Sequence, residues 1–366
     1  MKTEMHVKIR EKRIDKILKQ SGKIIIAGPC SAETQEQVIE TAMALAADSR
    51  VNYLRAGIWK PRTSPGAFEG VGTIGFQWLN QAKAITGIPI ATEVGSERHV
   101  YEALKHGVDM VWIGARTVSS PFTIQEIAEA MRGVDIPVLV KNPLCPDTNL
   151  WEGAINRFIR AGVSQIGAIH RGFTPPGKSA LRNHPIWSVP LMLRDRMPDL
   201  PIICDPSHIA GDRNLVPIIA QRAKGMGFNG LMVEVHPNPQ QALSDASQQL
   251  LPSQFLSMLN RLYDLSNLQN SDELLSELRL EVDMLDEQLI NALGNRMKLI
   301  KQIASIKDDR GLDVFQATRW ENIILKIRQL AHEEGLRPSF VRNLYNSIHK
   351  ESCAFQHEQM VQSVVK

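Results

Sequence analysis

Eight short apolar segments of the chain are each followed by ionisable side chains of types that bind metal ions and anions. The first segment, residues 23–31, is apolar up to Gly28 and Pro29 and leaves a cysteine at its tip. The side chains at the eight ends are Cys30, Arg55, Glu93, Arg116, Lys141, His170 with Arg171, Asp205 with His208, and Glu234 with His236. Polar loops would place charge at some ends by chance. A charge at every end, with cations at four of them, favours a site for a highly anionic ligand.

Strands and helices in strict alternation position these side chains. An uninterrupted β-branched run such as 24–27 is typical of a strand buried on both faces of a parallel sheet. The predicted strands are 24–27, 51–55, 89–93, 110–114, 137–141, 165–170, 201–204 and 230–235. The predicted helices are 35–46, 74–85, 97–106, 123–131, 150–161, 186–196, 215–226 and 240–262. Eight such units predict a (β/α)8 TIM barrel of the α/β class, with its site at the carboxyl ends of the strands.

Length and composition narrow the class of protein. A chain of 366 residues exceeds the usual size of one core, so we expect two domains. A net charge of +3 is too small to indicate nucleic-acid binding, and no apolar run reaches transmembrane length, so we expect neither nucleic acid nor membrane as a partner. The first nineteen residues lack the apolar stretch of a signal peptide, and we expect one short helix over 6–19. Four cysteines without paired spacing predict a reduced, cytoplasmic protein.

The composition changes after residue 262. A polar linker leads to Ser271 and Asp272, either of which can cap a helix. Apolar residues then recur in steps of four and three from Leu278 to Ile306, a heptad seam interrupted by Arg296. Two more helices are predicted over 314–333 and 338–357. We therefore expect a barrel domain over 1–265, a linker over 266–272, and an all-α three-helix domain over 273–366 that dimerises through its long first helix.

Four side chains form a candidate metal site in the barrel: Cys30, His208, Glu234 and Asp245. Their spacing fits no structural zinc motif, in which ligands come in short paired loops. Taken singly, each is more simply a buried cysteine or a hydrogen-bonded polar residue. If they converge at the barrel mouth, they suit one catalytic divalent ion with mixed S, N and O donors, a set compatible with Mn, Fe, Co or Zn.

Two groups of cations and hydroxyls suggest anion binding. The loop 60–64, Lys-Pro-Arg-Thr-Ser, carries two cations and two hydroxyls, although alone it indicates no more than a solvated turn. The second group comes mostly from separate strand ends and consists of Arg55, Lys60, Arg116, Lys141 and Arg171. Two anion sites beside a metal imply two phosphorylated substrates.

These motifs resemble 3-deoxy-D-arabino-heptulosonate-7-phosphate (DAHP) synthase. The matching stretches are 28–31 (Gly-Pro-Cys-Ser), 54–57 (Leu-Arg-Ala-Gly), 60–64, 113–116 (Ile-Gly-Ala-Arg), 141–143 (Lys-Asn-Pro), 170–172 (His-Arg-Gly) and 205–208 (Asp-Pro-Ser-His). The resemblance implies condensation of phosphoenolpyruvate with erythrose 4-phosphate. It implies that the five cations above hold phosphoenolpyruvate, and that Arg62, Thr63 and Asp205 take erythrose 4-phosphate. It also implies that the four candidate ligands hold the metal. Lys141 and Glu93 would orient a water, and His170 completes the predicted catalytic set.

The helical segment resembles the all-α chorismate mutases, which convert chorismate to prephenate. The matching positions are Arg279, Arg296, Lys307, Arg319, Ser352 and Gln356. Arg296 and Lys307 are eleven residues apart and so return to one helix face at about 100° per residue. The resemblance implies that Lys307 and Gln356 act at the ether oxygen, a rearrangement that needs restraint and donors but no acid or base. Trp320 and Gln316 stand where the family usually has Glu and Asp.

Several readings of the helical domain stay open. Arg279 lies about 100° from Arg296 around the same helix, so we expect it to serve the site of a second chain in a homodimer. Arg296 itself is either a register-setting polar residue or, favoured by Lys307 on the same face, a ligand for a carboxylate. The alternative for the domain as a whole is a non-catalytic dimerisation or feedback module. As a mutase it is also expected to act as the feedback sensor of the barrel, which chorismate or prephenate would regulate. For the barrel, the alternative is the related synthase that uses arabinose 5-phosphate, against which Pro61 argues.

Overall fold

Eight parallel strands form a closed barrel in sequence order, which confirms the predicted (β/α)8 fold. The computed structural model of the chain describes residues 10–60, 66, 68–175, 177, 179–263, 271–333 and 335–364. The strands are β1 Ile24–Gly28, β2 Tyr53–Arg55, β3 Ile90–Val94, β4 Met110–Ile113, β5 Val138–Lys141, β6 Ile166–His170, β7 Ile202–Cys204 and β8 Gly230–Glu234. β1 pairs with β8 from Ile24 opposite Gly230 to Gly28 opposite Glu234, and this pairing closes the barrel.

Alternation along the strands divides the side chains between the barrel interior and the outer helical layer. The interior cluster takes one or two residues from each strand: Ile24, Ile26, Tyr53, Ala91, Met110, Trp112, Leu139, Ile169, Ile203 and Met232. Ile14 and Ile17 of the first helix join this cluster and cover the amino-terminal end of the barrel. Each next inward position, at the carboxyl end of the strand, therefore lies in the barrel mouth.

Eleven α-helices accompany the barrel strands in the described residues. They are α1 Ile14–Ser21, α2 Gln35–Ala46, α3 Ile74–Thr86, α4 Glu97–Lys105, α5 Ala115–Val118, α6 Pro121–Ala130, α7 Thr148–Arg160, α8 Ser188–Arg196, α9 Pro206–Ala210, α10 Val216–Gly225 and α11 Pro252–Tyr263. The first helix was predicted over 6–19 but begins at Ile14; residues 1–9 lie outside the described part. The short helices α5 and α9 were not predicted.

The helix predicted over 240–262 is wrong in its first half. A 3₁₀ turn, Pro239–Gln241, is followed by irregular chain, and α11 begins only at Pro252. The backbone of Leu250 is used by β8: its N–H donates to Glu234 O at 2.9 Å, and its carbonyl accepts from His236 N. Asp245 adopts a left-handed conformation with φ of 50°. The two backbone hydrogen bonds of Leu250 and the left-handed conformation of Asp245 are incompatible with a continuous helix. The segment 242–251 is therefore a loop at the barrel mouth.

The second compact unit is helical, and the division of the chain falls between Leu278 and Arg279. The three helices of this region are α12 Ser271–Asp309, which begins before the division, α13 Ala317–Glu333 and α14 Pro338–Val364. Ile327 and Ala331 of α13 pack with Val341 of α14. Most of the predicted linker lies outside the described residues, so the limits 1–265, 266–272 and 273–366 stay predictions. No helix in the described part of the chain combines the length and apolarity needed to cross a membrane.

Candidate functional site

Close backbone packing brings Cys30 into the barrel mouth. Gly28, at the end of β1, has φ of 148°, and a Cβ there would lie 2.2 Å from the carbonyl oxygen of Arg55. Only glycine fits so close to β2, and this explains why the apolar run ends at this residue. The chain then turns at Pro29. Cys30 is fully buried, and its backbone N–H donates to Oε1 of Gln249 at 3.0 Å.

Three of the four predicted metal ligands form one cluster. Ligand atoms of Cys30, Glu234 and Asp245 all lie within 4.8 Å of one another. The thiol of Cys30 donates to Oδ2 of Asp245 at 3.3 Å. Burial, followed by the nearby charge of Glu234, raises the pKa of Cys30 to about 12. The Lys60 ammonium does not offset this rise, so a bound metal ion would be what stabilises the thiolate, the form that binds metals.

The fourth predicted ligand, His208, stands at the edge of this cluster. Its Nε2 lies 3.8 Å from Oε1 of Glu234 and 3.9 Å from Oδ2 of Asp245. His208 is held by α9, which Asp205 caps by accepting the N–H of His208 at 3.1 Å and which has Pro206 in its first turn. Burial lowers the pKa of His208, which favours the neutral imidazole that can bind a metal. Sulfur and carboxylate donors thus form the cluster, and an imidazole nitrogen lies at its edge.

Asp205 links the candidate metal ligands to a buried cation. Its Oδ2 accepts from Lys141 Nζ at 2.8 Å and lies 2.8 Å from Nδ1 of His208, though without hydrogen-bond alignment. Burial acts to raise the pKa of Asp205, but His208 and Lys141 hold it well below its usual range. Asp205 therefore stays ionised at neutral pH and fixes Lys141, which is 4% exposed.

Arg55 is the most deeply buried cation of the mouth, at 1% exposure. Its Nη2 donates to Oε1 of Glu234 at 3.1 Å and to the carbonyl of Cys30 at 3.3 Å. Burial acts to lower the pKa of Arg55, but Glu234 and the other acidic neighbours raise it overall. Within the described residues, the buried Nε and Nη1 atoms have no hydrogen-bond partner. Buried N–H donors on Nε and Nη1 are thus available to an anion.

The remaining predicted anion-binding side chains surround a cavity of about 240 Å³. Predicted site residues that line it are Lys60, Glu93, Arg116, Lys141, Arg171, His208 and Asp245. Lys60 Nζ donates to the carbonyl of Cys30 at 2.9 Å and lies 3.0 Å from its Sγ, so this cation borders both the cavity and the metal cluster. Burial lowers the pKa of Arg171 to about 10, which leaves it charged at neutral pH. A cavity of about 770 Å³ at the amino-terminal end of the barrel carries none of the predicted residues.

Glu93 is held against the cavity wall. Its Oε2 accepts from Nε1 of Trp112 at 3.0 Å. A Cβ on Gly114 would lie 2.2 Å from Oε1, so the glycine at the end of β4 makes room for this carboxylate. The carboxylate has a fixed position next to the cations, where it can accept a hydrogen bond from a water in the cavity.

His170 does not reach the cavity, which corrects its predicted catalytic role. Ile169 faces the barrel interior, so its neighbour His170 faces the helical layer, where it is fully buried. Four aromatic rings lie 5.2–6.5 Å from the imidazole centroid: Trp151, Phe173, Trp187 and Phe228. Burial lowers the pKa of His170 to about 3. The inward residue of the motif is Arg171.

Sequence reasoning missed two residues beside the metal cluster. Arg182 lies 3.1 Å from Oδ1 of Asp245, and the buried Gln248 donates to Oε2 of Glu234 at 2.7 Å. Gln248 lay in a predicted helix, and its closeness in sequence to Asp245 was the one available signal. Arg182 follows an aperiodic loop far in sequence from the predicted ligands, so no sequence signal pointed to it. Two predicted substrate residues, Arg62 and Thr63, lie outside the described part.

The helical unit brings four of its six predicted residues together. Nη1 of Arg296 on α12 donates to Oγ of Ser352 on α14, and Gln356 lies one turn beyond. Ser352 and Gln356 are 2% and 4% exposed, and Oε1 of Gln356 has no hydrogen-bond partner in the described part. Lys307 Nζ donates to the carbonyl of Val314 at 2.6 Å. Charged and neutral donors therefore face one region between α12 and α14.

An unpredicted histidine completes this region. The ring of His349 stacks on Trp320 at 4.1 Å between centroids. Burial, then the charges of Arg296 and Lys307, lower the pKa of His349, which shows that it is close to both cations. The two other predicted residues, Arg279 and Arg319, are exposed.

Family models match both parts of the chain. The model of the DAHP synthetase I family matches residues 6–270, and that of chorismate mutase type II matches residues 278–357. A crystal structure of phospho-2-dehydro-3-deoxyheptonate aldolase (DAHP synthase) from Thermotoga maritima superposes with a TM-score of 0.60 at 32% identity, covering 67% of this chain and 69% of that one. A truncated form of the 3-deoxy-D-arabino-heptulosonate 7-phosphate synthase from the same organism gives 0.58 at 30% identity, covering 67% and 87%.

Curated relatives show similarity to two kinds of aldolase. The Thermotoga maritima phospho-2-dehydro-3-deoxyheptonate aldolase is 34% identical over 226 residues, which are 62% of this chain. The chain spans 64% of that relative's length. A 2-dehydro-3-deoxyphosphooctonate aldolase from Vesicomyosocius okutanii is 28% identical over 260 residues, covering 66% of this chain and 90% of the relative.

Proposed function

The chain belongs to the DAHP synthetase I family, and on that premise we propose that its barrel condenses phosphoenolpyruvate with erythrose 4-phosphate, giving DAHP and inorganic phosphate. The observation that carries the proposal is the concentration of buried cations beside a cluster of metal-type ligands in one barrel mouth. Arg55 is the centre of this arrangement because it contacts Glu234 and retains two buried donors. A dianionic or trianionic substrate would satisfy those donors.

Phosphoenolpyruvate would bind across the cavity. Lys60, Arg116 and Arg171 line it together with Lys141, so its carboxylate and phosphate can both be neutralised. Arg171 is oriented by a hydrogen bond to Oδ1 of Asn183 at 2.8 Å, and Lys141 by Asp205. Fixed cations of this kind stabilise charge in the transition state without reorganising. The predicted contacts of erythrose 4-phosphate with Arg62 and Thr63 are part of this proposal.

Cys30, His208, Glu234 and Asp245 fit a divalent cation and would hold it. The donor set is chemically suitable, and three members already lie within mutual ligand distance. Such an ion, when bound, would polarise the aldehyde oxygen of erythrose 4-phosphate. The identity of the ion, Mn, Fe, Co or Zn, is not fixed by this mixed donor set.

Two side chains would act on the water that attacks C2 of phosphoenolpyruvate. Glu93 has one oxygen on Trp112 and the other at the cavity wall, so it can accept a proton or a hydrogen bond from water. Lys141, which lines the same cavity, would orient this water together with Glu93. Its hydrogen bond to Asp205 keeps the ammonium group in place during this step.

The second candidate for the barrel is condensation with arabinose 5-phosphate, which the 28% identity with a phosphooctonate aldolase keeps open. The loss of phosphoenolpyruvate absorbance by the purified full chain, with each aldose phosphate in turn, distinguishes the two. We expect turnover with erythrose 4-phosphate and at most slow turnover with arabinose 5-phosphate. Preference for the five-carbon sugar would contradict the proposal.

The helical domain is proposed to rearrange chorismate to prephenate. Arg296, Lys307, Ser352 and Gln356 offer charged and neutral donors in one region, as binding a dicarboxylate requires. The test is loss of chorismate absorbance. Arg296→Ala should abolish it, whereas Lys298→Ala, a change to an exposed lysine of the same helix, should not. Wild-type protein without activity would instead favour a dimerisation or feedback module, and regulation by prephenate would then remain to be tested.

A second copy of the chain is the proposed partner of α12. Six apolar side chains of its predicted seam are 41–60% exposed in the single chain: Val282, Leu285, Leu289, Leu299, Ile303 and Ile306. A heptad seam of this length is normally covered by another helix. Mixing Arg279→Ala with Arg296→Ala subunits should restore some mutase activity if each site borrows Arg279. Sedimentation as a monomer, or a mixture that stays inactive after subunit exchange, would contradict the shared site.

A further inference from the structure

Arg182 connects the segment before α8 to the proposed metal site. Its backbone N–H donates to the carbonyl of Ala210 at the end of α9 at 3.2 Å. Gly211 caps α9 with φ of 74°, and a Cβ there would lie 2.5 Å from the Cβ of Arg182. The backbone at Arg182 is therefore packed directly against the helix that carries His208. This packing fixes the point from which its guanidinium extends.

One guanidinium nitrogen contacts Asp245 directly and is linked to Glu234 through Gln248. Nη1 of Arg182 lies 3.1 Å from Oδ1 of Asp245 and donates to Oε1 of Gln248 at 2.6 Å. Gln248 is fully buried, and its Nε2 donates to Oε2 of Glu234 at 2.7 Å. One oxygen of Asp245 is therefore contacted by Arg182, and one oxygen of Glu234 by Gln248. The other oxygen of Asp245 faces Cys30, and that of Glu234 faces Arg55 and His208.

Asp245 depends on this support because its backbone is unfavourable. Its φ of 50° is one of two positive values at non-glycine residues in the described part of the chain. A left-handed backbone costs an aspartate free energy, and such a conformation persists only where surrounding contacts determine it. The contact with Arg182 and the hydrogen bond from Gln248 N to the carbonyl of Asp245 at 3.2 Å are contacts of that kind.

We propose that Arg182 and Gln248 are positioning residues that fix Asp245 and Glu234 for the divalent ion. The proposal rests on the metal site proposed above but not on the condensation reaction. Two effects of Arg182 oppose each other: its charge repels a cation, whereas its geometry holds the carboxylate in place. Gln248 is neutral and exerts only the second effect. A substitution of Gln248 therefore isolates positioning from charge.

The test measures Mn²⁺ affinity of the full chain without substrates, from the spin-resonance signal of free Mn²⁺. Arg182→Lys keeps the positive charge but replaces the planar guanidinium. Gln248→Asn keeps the amide on a shorter side chain, and Gln248→Leu removes the amide that connects Arg182 with Glu234. We expect each to weaken binding about 10- to 100-fold, the usual effect of losing a partner behind a metal ligand. The matched control is Arg213→Lys, since Arg213 donates to the carbonyls of Ala246 and Ser247 on the same loop and contacts neither carboxylate.

The outcomes separate the two proposals. Thermal unfolding in chelator establishes that each variant folds. If Gln248→Leu does not fold, Gln248→Asn alone tests the role of Gln248. Wild-type affinity in folded Arg182→Lys and Gln248→Asn proteins would overturn the positioning role and leave the metal site intact. Equal weakening in Arg213→Lys would show a general loop effect and overturn it as well. Absence of Mn²⁺ binding by the wild-type chain would overturn both.

Discussion

Replacing Arg55 by methionine removes a buried cation while keeping most of its volume. Glu234, which is fully buried, would lose its 3.1 Å partner in the metal-free protein. Breaking a buried ion pair by removing one member costs about 3–5 kcal/mol, because the other charge is left uncompensated. Lys60 lies near enough to Arg55 for mutual repulsion, and relief of that repulsion favours the lower part of the range.

A loss of about 3 kcal/mol lowers the midpoint of the barrel transition by on the order of 10 °C, at about 2–4 °C per kcal/mol. The measurement is thermal unfolding in chelator, so that no cation replaces Arg55 beside Glu234. The loss should shrink as the pH falls. Burial acts to raise the pKa of Glu234, but His208 and Arg55 hold it below its usual value. Without Arg55 that pKa rises, so the carboxylate takes up a proton as the pH falls and loses its charge.

A second substitution makes the reasoning refutable. Adding Glu234→Gln to Arg55→Met removes the buried, unpaired carboxylate charge. The double variant should therefore regain much of the lost stability. The conservative Arg55→Lys should lie near the wild type in stability. If Arg55→Met unfolds with the wild-type midpoint, or if Glu234→Gln gives no rescue, the ion pair does not determine the stability of the barrel mouth.

Three further predictions concern single positions. Gly114→Ala should displace Glu93 and lower the condensation kcat about tenfold or more, and it should have no added effect in a Glu93→Ala background. His170→Phe should keep the condensation rate, because His170 lies outside the cavity among four aromatic rings; a rate as low as that of Arg171→Ala would contradict this. Lys307→Met should abolish chorismate loss while changing condensation less than about twofold; parallel loss of both activities would contradict separate sites.

Periodicity predicted the barrel because each strand is a continuous apolar run with a charged residue at its end. The prediction of the site residues did not use the alternation of inward and outward side chains along each strand. Counting inward positions from Ile169 leads to Arg171 and passes over His170, so alternation would have removed the histidine from the site. The motif alone did not separate these two neighbours, since both follow the same strand.

The conformation of the loop after β8 could not be predicted from the sequence pattern. Residues 240–262 have a helical composition, yet Leu250 is used by β8 and Asp245 takes a left-handed conformation. Both facts are set by tertiary contacts, with Arg182 coming from a distant segment. The three candidate ligands that form the cluster could therefore be predicted from sequence, whereas Arg182 and Gln248, which contact two of them, could not.

The central claim is that the Cys30 cluster holds the ion on which condensation depends. The most direct measurement is phosphate release from phosphoenolpyruvate and erythrose 4-phosphate by chelator-treated protein, as Mn, Fe, Co or Zn is added back. Wild type is compared with Cys30→Ser and with the matched control Cys204→Ser, since Cys204 is a buried cysteine at the end of β7 outside the cluster. We predict that chelation stops the reaction, that at least one metal restores it in wild type and Cys204→Ser, and that none restores it in Cys30→Ser. Full activity after chelation, or equal recovery of the two variants, would contradict the account.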